Sequence, residues 1–329
     1  MAQEKNNRFA EIAESWFTWI YRLAIVLVIL VAASVLLSDV FSKYYYLDEF
    51  TFPSGLSVIG IDKNEYENAI LDKINDFYWH ARSMKSKSPD LEMMSHPFNI
   101  EFSGIDANYG SIVQYLRSKF GLPNLGISGT FFQSDSVYCF RTRVGGELVD
   151  ELCISYPDSL TVLESIDSVF YWQAMGIMEF LDPYVLSMYF YKKENYKRSL
   201  YYCQKALDEE PTARKFALGT MGNNYREMGQ LGEAENWYNQ SIKEFPEFYP
   251  TYWQYADLLI MRGDNEKAKK LLSKVLDNYP PLNTSVYFDF VRIYCAQDSL
   301  EKMRNYQQLL IDGGGTKYFE ANKDKVPCW

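Results

Sequence analysis

Histidine and closely paired cysteines, the side chains that most often bind zinc, are scarce in this sequence. His80 and His96 are the two histidines among 329 residues. The five cysteines form no C-x-x-C pair, and they are Cys139, Cys153, Cys203, Cys295 and Cys328. A zinc site needs several such ligands held close together. We therefore expect no metal site in this chain.

Two of the cysteines flank a short hairpin whose turn we place at the glycine pair 145–146. A two-residue turn there sets Cys139 opposite Leu152, which directs Cys153 to the other face of the sheet. A disulfide between Cys139 and Cys153 would then require a β-bulge to shift the register. We expect the thiols to be free and mostly buried.

An excess of positive charge is also absent. The formal net charge is −10, and no basic patch with interleaved aromatic residues is found. Nucleic-acid binding relies on basic side chains that neutralise phosphates, so the composition argues against nucleic acid as a partner. The hydrophobic share of 47% is ample for two packed units and a membrane segment.

Catalytic motifs are missing as well. The segment 313–317, Gly-Gly-Gly-Thr-Lys, lacks the Gly-Lys-Ser/Thr order of a phosphate-binding loop and follows a predicted helix. In the segment 126–129 a glycine directly follows the serine, unlike the G-x-S-x-G pattern of a nucleophilic serine. We predict that the chain is not an enzyme and uses no cofactor, unless 41–157 contains a site that these motifs do not reveal.

A long apolar segment lies near the N-terminus. A helix from Phe17 to Leu37 rises about 31 Å, which matches a hydrocarbon core of about 30 Å. Aromatic residues flank both ends, as at membrane interfaces, and they are Trp16, Trp19, Tyr21, Tyr44, Tyr45 and Tyr46. We predict a stub at 1–16 and a single transmembrane helix at 17–40. A cleaved signal peptide is the competing interpretation.

Basic residues are more frequent before this segment than after it. Lys5, Arg8 and Arg22 precede or open the segment, whereas only Lys43 closely follows it. By the positive-inside rule, the N-terminal stub lies in the cytoplasm. We therefore expect the bulk of the chain to lie in a periplasmic or other extracytoplasmic space.

The segment 41–157 is predicted to form a small α/β module. An amphipathic helix from Asn64 to about Met84 comes first. The later elements are a strand at 98–103, a helix at 109–120, and strands at 126–132, 136–144 and 148–155. This order predicts one antiparallel sheet with helices on one face. It is similar to ring-building and KH-like modules of bacterial envelope machines. A connecting helix is expected at 158–180.

A repeat of 34 to 35 residues organises the following segment. A small residue recurs at Ser199, Ala234 and Ala268, and a proline recurs at the same steps, at 211, 246 and 280. Gly229 and Gly263 fall between predicted helices, where a C-cap with positive φ favours glycine. The pattern predicts stacked helical hairpins, because one hairpin cannot bury its apolar face alone.

The segment 181–280 resembles the tetratricopeptide repeat. The residues that carry the resemblance in the second repeat are Gly222, Tyr225, Gly229, Ala234, Tyr238 and Pro246. The resemblance implies an α-helical solenoid of three to four hairpins over 181–329, with a capping hairpin at 285–311. The complete fold is then α+β: a transmembrane helix, a small α/β sandwich module and a C-terminal solenoid.

The resemblance also implies a binding groove, because in this family the first helix of each hairpin lines the concave face. By position, the expected partner-binding residues are Tyr184, Met188, Tyr191, Asn223, Arg226, Glu227, Trp253 and Asp257. Arg226 and Asn223 are expected to hold a peptide carboxylate or backbone, and Trp253 and Tyr184 to stack on apolar side chains. For each of these residues, packing beneath neighbouring helices is the alternative.

Two functions remain open at this point. In the first, the chain is a membrane-anchored scaffold or adaptor that binds a partner protein in the repeat groove. In the second, it is a structural subunit of an envelope or defence assembly, and the α/β module forms a homo-oligomer while the repeats stabilise it. The size of the particle in mild detergent distinguishes the two.

Overall fold

The computed structural model describes residues 2–41, 46–51, 63–81, 109–122, 126–134, 137–155, 162–326 and 328. The chain divides into two compact units. The first unit comprises Met1–Leu71 and Lys87–Ile177, and the second comprises Asp72–Ser86 and Met178–Trp329. The two divisions after residue 71 and residue 177 both fall inside helices.

The first unit begins with helix α1, Ala2–Phe41, which includes most of the predicted stub as well as the apolar segment. Within it, Trp19–Ser38 is long and apolar enough to cross a membrane, and none of this window is buried inside the protein. A signal sequence near an N-terminus has the same length and composition. The helix is therefore a candidate membrane span.

The sheet of the first unit has the order β1-β2-β3-β4 among the described residues. The strands are β1 Tyr46–Thr51, β2 Gly126–Ser134, β3 Val137–Val144 and β4 Glu147–Ser155. β1 pairs in parallel with β2, while the other two pairs are antiparallel. The prediction of a wholly antiparallel sheet is therefore wrong. The predicted strand at 98–103 lies outside the described residues.

A β-bulge in β4 corrects the expectation of free thiols. The pair Val144–Glu147 closes the hairpin as expected, but Thr142 lies opposite Asp150, so Val149 is the extra residue. The shift brings Cys139 opposite Cys153, and the two form a disulfide with a Cα–Cα distance of 4.1 Å.

A second disulfide joins Cys295 to Cys328, with a Cα–Cα distance of 5.8 Å. Cys203 is the free cysteine of the chain, and it is fully buried. Burial raises the pKa of its thiol to about 12. The expectation of free and buried thiols therefore holds for Cys203 and fails for the other four.

Three further helices precede the repeats: α2 Lys63–Ala81, α3 Tyr109–Lys119 and α4 Val162–Leu181. The divisions between the units fall within α2 and α4. The predicted amphipathic helix is α2, and its residues Tyr66, Ile70, Ile74 and Phe77 are at most 2% exposed. In the first unit, the Tyr66 hydroxyl donates to the Gln173 side chain of α4. The periodicity of the sequence therefore predicts the buried face of this helix correctly.

The second unit contains four helical hairpins among its described residues, followed by a short helix. The first two are α5 Pro183–Lys192 with α6 Tyr196–Glu209, and α7 Arg214–Glu227 with α8 Leu231–Glu244. The next two are α9 Tyr249–Met261 with α10 Asn265–Asn278, and α11 Asn283–Ala296 with α12 Leu300–Asp312. The final helix is α13, Thr316–Asn322.

Small residues let the helices of a hairpin approach each other. Ser199, Ala234 and Ala268 are fully buried at equivalent places of three second helices. At Gly222 an added Cβ would collide with the ring of Tyr238, because the two helices cross there. A larger side chain at these positions would separate the backbones, which explains the period of small residues in the sequence.

The turn between the two helices of each hairpin contains one residue with a left-handed backbone. These residues are Glu194, Gly229, Gly263 and Asp298, with φ of 57°, 75°, 81° and 52°. Their spacing follows the sequence repeat, which extends the period to the fourth hairpin. The fourth hairpin, predicted as a cap, therefore has the same turn conformation as the other three.

Candidate functional site

The predicted partner-binding residues lie on the first helices of the hairpins. Successive first helices contact each other, α5 with α7, α7 with α9 and α9 with α11. We call the surface formed by these four helices the inner face. Because the helices are neighbours, side chains 31 to 36 residues apart come within hydrogen-bonding distance.

The first part of the inner face joins α5, α7 and α9 through Arg226. The Tyr191 hydroxyl donates to Glu227 Oε1 over 3.3 Å. Arg226 donates to the same oxygen from Nη2 over 2.7 Å, and to Asp257 Oδ2 from Nη1 over 2.8 Å. Four predicted residues on three different helices are therefore connected directly.

The second part continues from Asp257 into the fourth hairpin. Arg292 Nη1 lies 2.6 Å from Asp257 Oδ1 and 2.9 Å from Asp289 Oδ1. The Trp253 indole donates to Asp289 Oδ2 over 2.8 Å. We call the whole set the inner network, and it consists of Tyr191, Arg226, Glu227, Trp253, Asp257, Asp289 and Arg292.

Asp289 and Arg292 are members of this network that sequence reasoning missed. They follow Trp253 and Asp257 by 36 and 35 residues, which is close to the repeat period. The signal is therefore present in the sequence, in a helix at 285–296 that the sequence pattern predicts as part of a cap. Carrying the pattern one repeat further would have found both residues.

Burial and neighbouring charges both shift the pKa values of residues in the inner network. Burial raises the pKa of Asp289 to about 6, repulsion from Asp257 adds to this, and Arg292 opposes it. Burial alone would lower the pKa of the Arg226 guanidinium, but the groups around it, including Asp257 and Glu227, raise that pKa above its usual value. Arg226 therefore stays charged, whereas Asp289 changes its charge just below neutral pH.

The other predicted residues mainly pack within the hairpins. Tyr184 is 3% exposed, and its hydroxyl lies 3.3 Å from Thr220 Oγ1. Met188 packs beside it as a partly buried side chain. Asn223 accepts a hydrogen bond from the Tyr238 hydroxyl over 2.7 Å. The expectation that Tyr184 stacks on a ligand is therefore corrected, because its ring is enclosed by the first two hairpins.

The role expected for Arg226 also needs correction. A guanidinium that waits for a partner carboxylate should be accessible, but the Arg226 side chain is 13% exposed and already pairs with two carboxylates. Glu227 is the most accessible charged group of the network, with 35% of its side chain exposed. The network has three carboxylates and two guanidinium groups, so it leaves an excess of negative charge.

Among the described residues, no group of three or more His, Cys, Asp or Glu side chains is arranged to hold a metal ion. The carboxylates of the inner network pair with its two arginines, Arg226 and Arg292. These contacts join neighbouring hairpins.

Comparison with known proteins identifies the repeats. The sequence model of the family described as "Tetratricopeptide repeat" matches residues 225–287, from the end of α7 into α11. This confirms the predicted tetratricopeptide repeats in this part of the chain. The match includes Arg226, Glu227, Trp253 and Asp257, so half of the predicted binding residues lie within it.

One curated relative is the human "Protein O-mannosyl-transferase TMTC2". It is 29% identical over 101 residues, which are 30% of this chain and 12% of that protein. The part of this chain that matches therefore spans about an eighth of the length of the relative. The prediction that the chain is not an enzyme is overturned, because a relative is named as a transferase. The match covers 12% of that protein, and its activity is not carried over to this chain.

Proposed function

We propose that the chain is a membrane-anchored scaffold that binds a partner protein through the inner face of its repeats. The observation that carries the proposal is the inner network, which runs across all four first helices. Tetratricopeptide repeats generally serve protein–protein interaction, which supports the same role here. A network that joins every hairpin keeps the first helices in fixed positions, and a preorganised surface loses less entropy when it binds.

The chemistry of the inner face favours a partner segment with basic and apolar side chains. The excess carboxylate and the exposed part of Glu227 attract a lysine or arginine. Trp253 and Tyr191 are half-buried aromatic residues, a type that often anchors interfaces. The partner is therefore an extended or helical segment whose basic side chain approaches Glu227.

The membrane anchor in this proposal is α1, with the N-terminus in the cytoplasm. The excess of Lys5, Arg8 and Arg22 before the span supports this orientation. The disulfides Cys139–Cys153 and Cys295–Cys328 support it independently, since such bonds persist mainly in oxidising compartments outside the cytoplasm. Both observations favour an extracytoplasmic position for the sheet and the repeats.

Site-specific photo-crosslinking in native membranes tests the scaffold role. A photoreactive amino acid replaces Glu227 on the inner face or, as the matched control, Glu233 on the second helix of the same hairpin. Both glutamates are exposed. We expect a discrete protein adduct from position 227 and none from 233. The same adduct should be lost when Trp253→Ala is added. An adduct from 233 alone, or none from either position, would contradict the proposal.

A further inference from the structure

The C-terminal end of α1 contacts α3, and Phe120 directly after α3, through two specific interactions. Arg117 of α3 donates from Nη1 to the Val40 carbonyl over 2.7 Å. The rings of Phe41 and Phe120 lie 5.4 Å apart. Arg117 and Val40 are both buried, at 4% and 0% exposure. The two helices are therefore fixed to each other where α1 ends.

Arg117 also completes the end of α1 electrostatically. The last turn of α1 contains no basic residue, although a helix C-terminus carries partial negative charge and unpaired carbonyl groups. The guanidinium of Arg117 supplies both a donor and a positive charge from the neighbouring helix. The Arg117 guanidinium therefore complements the C-terminal end of α1 both in hydrogen bonding and in charge.

The position of this contact relative to a bilayer follows from helix geometry. The apolar span ends at Ser38, and Phe41 comes three residues later, which is about 4.5 Å further along the helix axis. The interfacial layer on each side of the hydrocarbon core is roughly 5–7 Å thick. With Trp19–Ser38 across the core, Phe41 and Phe120 lie at the level of the lipid headgroups.

The exposed surface of α3 has the residue types that favour that level. Tyr115 is 62% exposed and Phe120 is 56% exposed. Lys119 is exposed, and its Nζ lies 5.3 Å from the centre of the Tyr115 ring. The segment 109–122 contains no acidic residue, in a chain whose net charge is −10. Aromatic and basic side chains together are typical of helices at the lipid–water boundary.

We propose that α3 is a second membrane contact, which lies on the phospholipid headgroups beside the end of α1. Tyr115 and Phe120 enter the boundary between headgroups and acyl chains, and Lys119 faces lipid phosphates. The proposal rests on the membrane anchoring by α1 proposed above. Its consequence is that the first unit has a fixed orientation on the bilayer, because a single spanning helix alone leaves rotation and tilt free.

Fluorescence depth measurements on the full-length chain in nanodiscs of phosphatidylcholine and phosphatidylglycerol test this proposal. Single cysteines replace Val28, Tyr115, Phe120 or Glu151 and receive an environment-sensitive nitrobenzoxadiazole label without reductant. Cys203 is buried and the other native cysteines are paired, so the label reports the introduced thiol. Glu151 is the control, an exposed strand residue in the same unit.

We expect the labels at 115 and 120 to emit at shorter wavelength than the label at 151, and to be quenched by lipids with a nitroxide near the headgroup. The label at 28 should be quenched by a nitroxide deep in the acyl chain. Quenching at 28 with water-like emission at 115 and 120 would overturn the role of α3 and leave the anchor intact. Water-like emission at 28 would instead refute the anchor itself. Lipid quenching at 151 as well, or a shift at 115 and 120 without lipid quenching, would also overturn the proposal.

Discussion

Arg226 Nη1 and Asp257 Oδ2 lie 2.8 Å apart and join the second hairpin to the third. Asp257 uses its other oxygen for Arg292 of the fourth hairpin. One carboxylate therefore connects three consecutive hairpins, and a change at either arginine reaches beyond its own helix. Because two arginines share Asp257, the stability of the repeats depends on Arg226 and Arg292. In a surface that served binding alone, such side chains would be unpaired.

We expect Arg226→Ala to lower the free energy of unfolding by about 1–3 kcal/mol, because it leaves Glu227 and Asp257 with fewer hydrogen bonds in a half-buried site. A double-mutant cycle with Asp257→Ala, measured by denaturant unfolding, isolates the coupling. Lys323→Ala is the control, since its ion pair with Glu320 is exposed and should contribute nothing measurable. Additive effects of the Arg226 and Asp257 variants would contradict this prediction.

Ala234→Glu should destabilise the second unit by several kcal/mol. Ala234 is fully buried beside Tyr238 and Leu258, so the variant adds volume and an unpaired charge to a packed helix crossing. Asn236→Glu on the exposed side of the same helix is the matched control. Thermal melting of both variants decides the matter, and an unchanged melting temperature for Ala234→Glu would refute the assigned helix crossing.

Asp289 should make the stability of the repeats depend on pH below neutrality. Its pKa is raised from 3.8 to about 6 on folding, so the folded state holds more protons than the unfolded state between these values. Stability from this group therefore increases as pH falls from 7 to 5, by about 1 kcal/mol. Asp289→Asn should abolish this dependence, which urea unfolding at both pH values measures. If the free energy of unfolding differed between Asp289→Asn and the parent by the same amount at both pH values, this prediction would be wrong.

Glu194→Gly should stabilise the first hairpin by roughly 1 kcal/mol. Glu194 has a φ of 57°, in the place where the second and third hairpins have glycine. A left-handed backbone is unfavourable for a residue with a Cβ, and glycine removes that strain. Glu194→Ala retains the Cβ and should give no gain. The two variants are compared by their midpoints of denaturant unfolding.

The full-length chain should remain in the membrane fraction after alkaline carbonate extraction. A helix of about 20 apolar residues inserts almost irreversibly in lipid, whereas a peripheral protein is released. A variant with Arg residues in place of Val28 and Leu30 should be released instead, because charge at the centre of the span is unfavourable. Release of the parent chain would disprove anchoring by α1.

The repeats could be predicted from the sequence because their determinants are local and periodic. Ser199, Ala234 and Ala268 mark helix crossings, and the turn positions recur at the same steps. The inner face follows from this register, which is why Arg226, Glu227, Trp253 and Asp257 are brought together. Their mutual pairing could not be predicted, since residue positions on a helix do not show which charges satisfy each other.

The sheet was less predictable because its pairing is not local. β1 pairs with β2 across some 75 residues of chain, and no hydrophobic pattern indicates that distant partner. The bulge at Val149 had no signal either, since alternation in β4 fits both registers. A shift of one residue nevertheless decides whether Cys139 faces Cys153, which is why the disulfide escaped prediction.

The disulfide Cys295–Cys328 stabilises one end of the row of hairpins, the C-terminal end. Contacts in a solenoid are made mainly between neighbouring repeats, so such arrays open from their ends. The two cysteines are 33 positions apart in the sequence, and α12 and α13 lie between them. The bond therefore limits the disorder that these helices gain when they detach. Reduction therefore releases the C-terminal end first: amide exchange and proteolysis would accelerate in α12 and α13 while the central hairpins keep their protection.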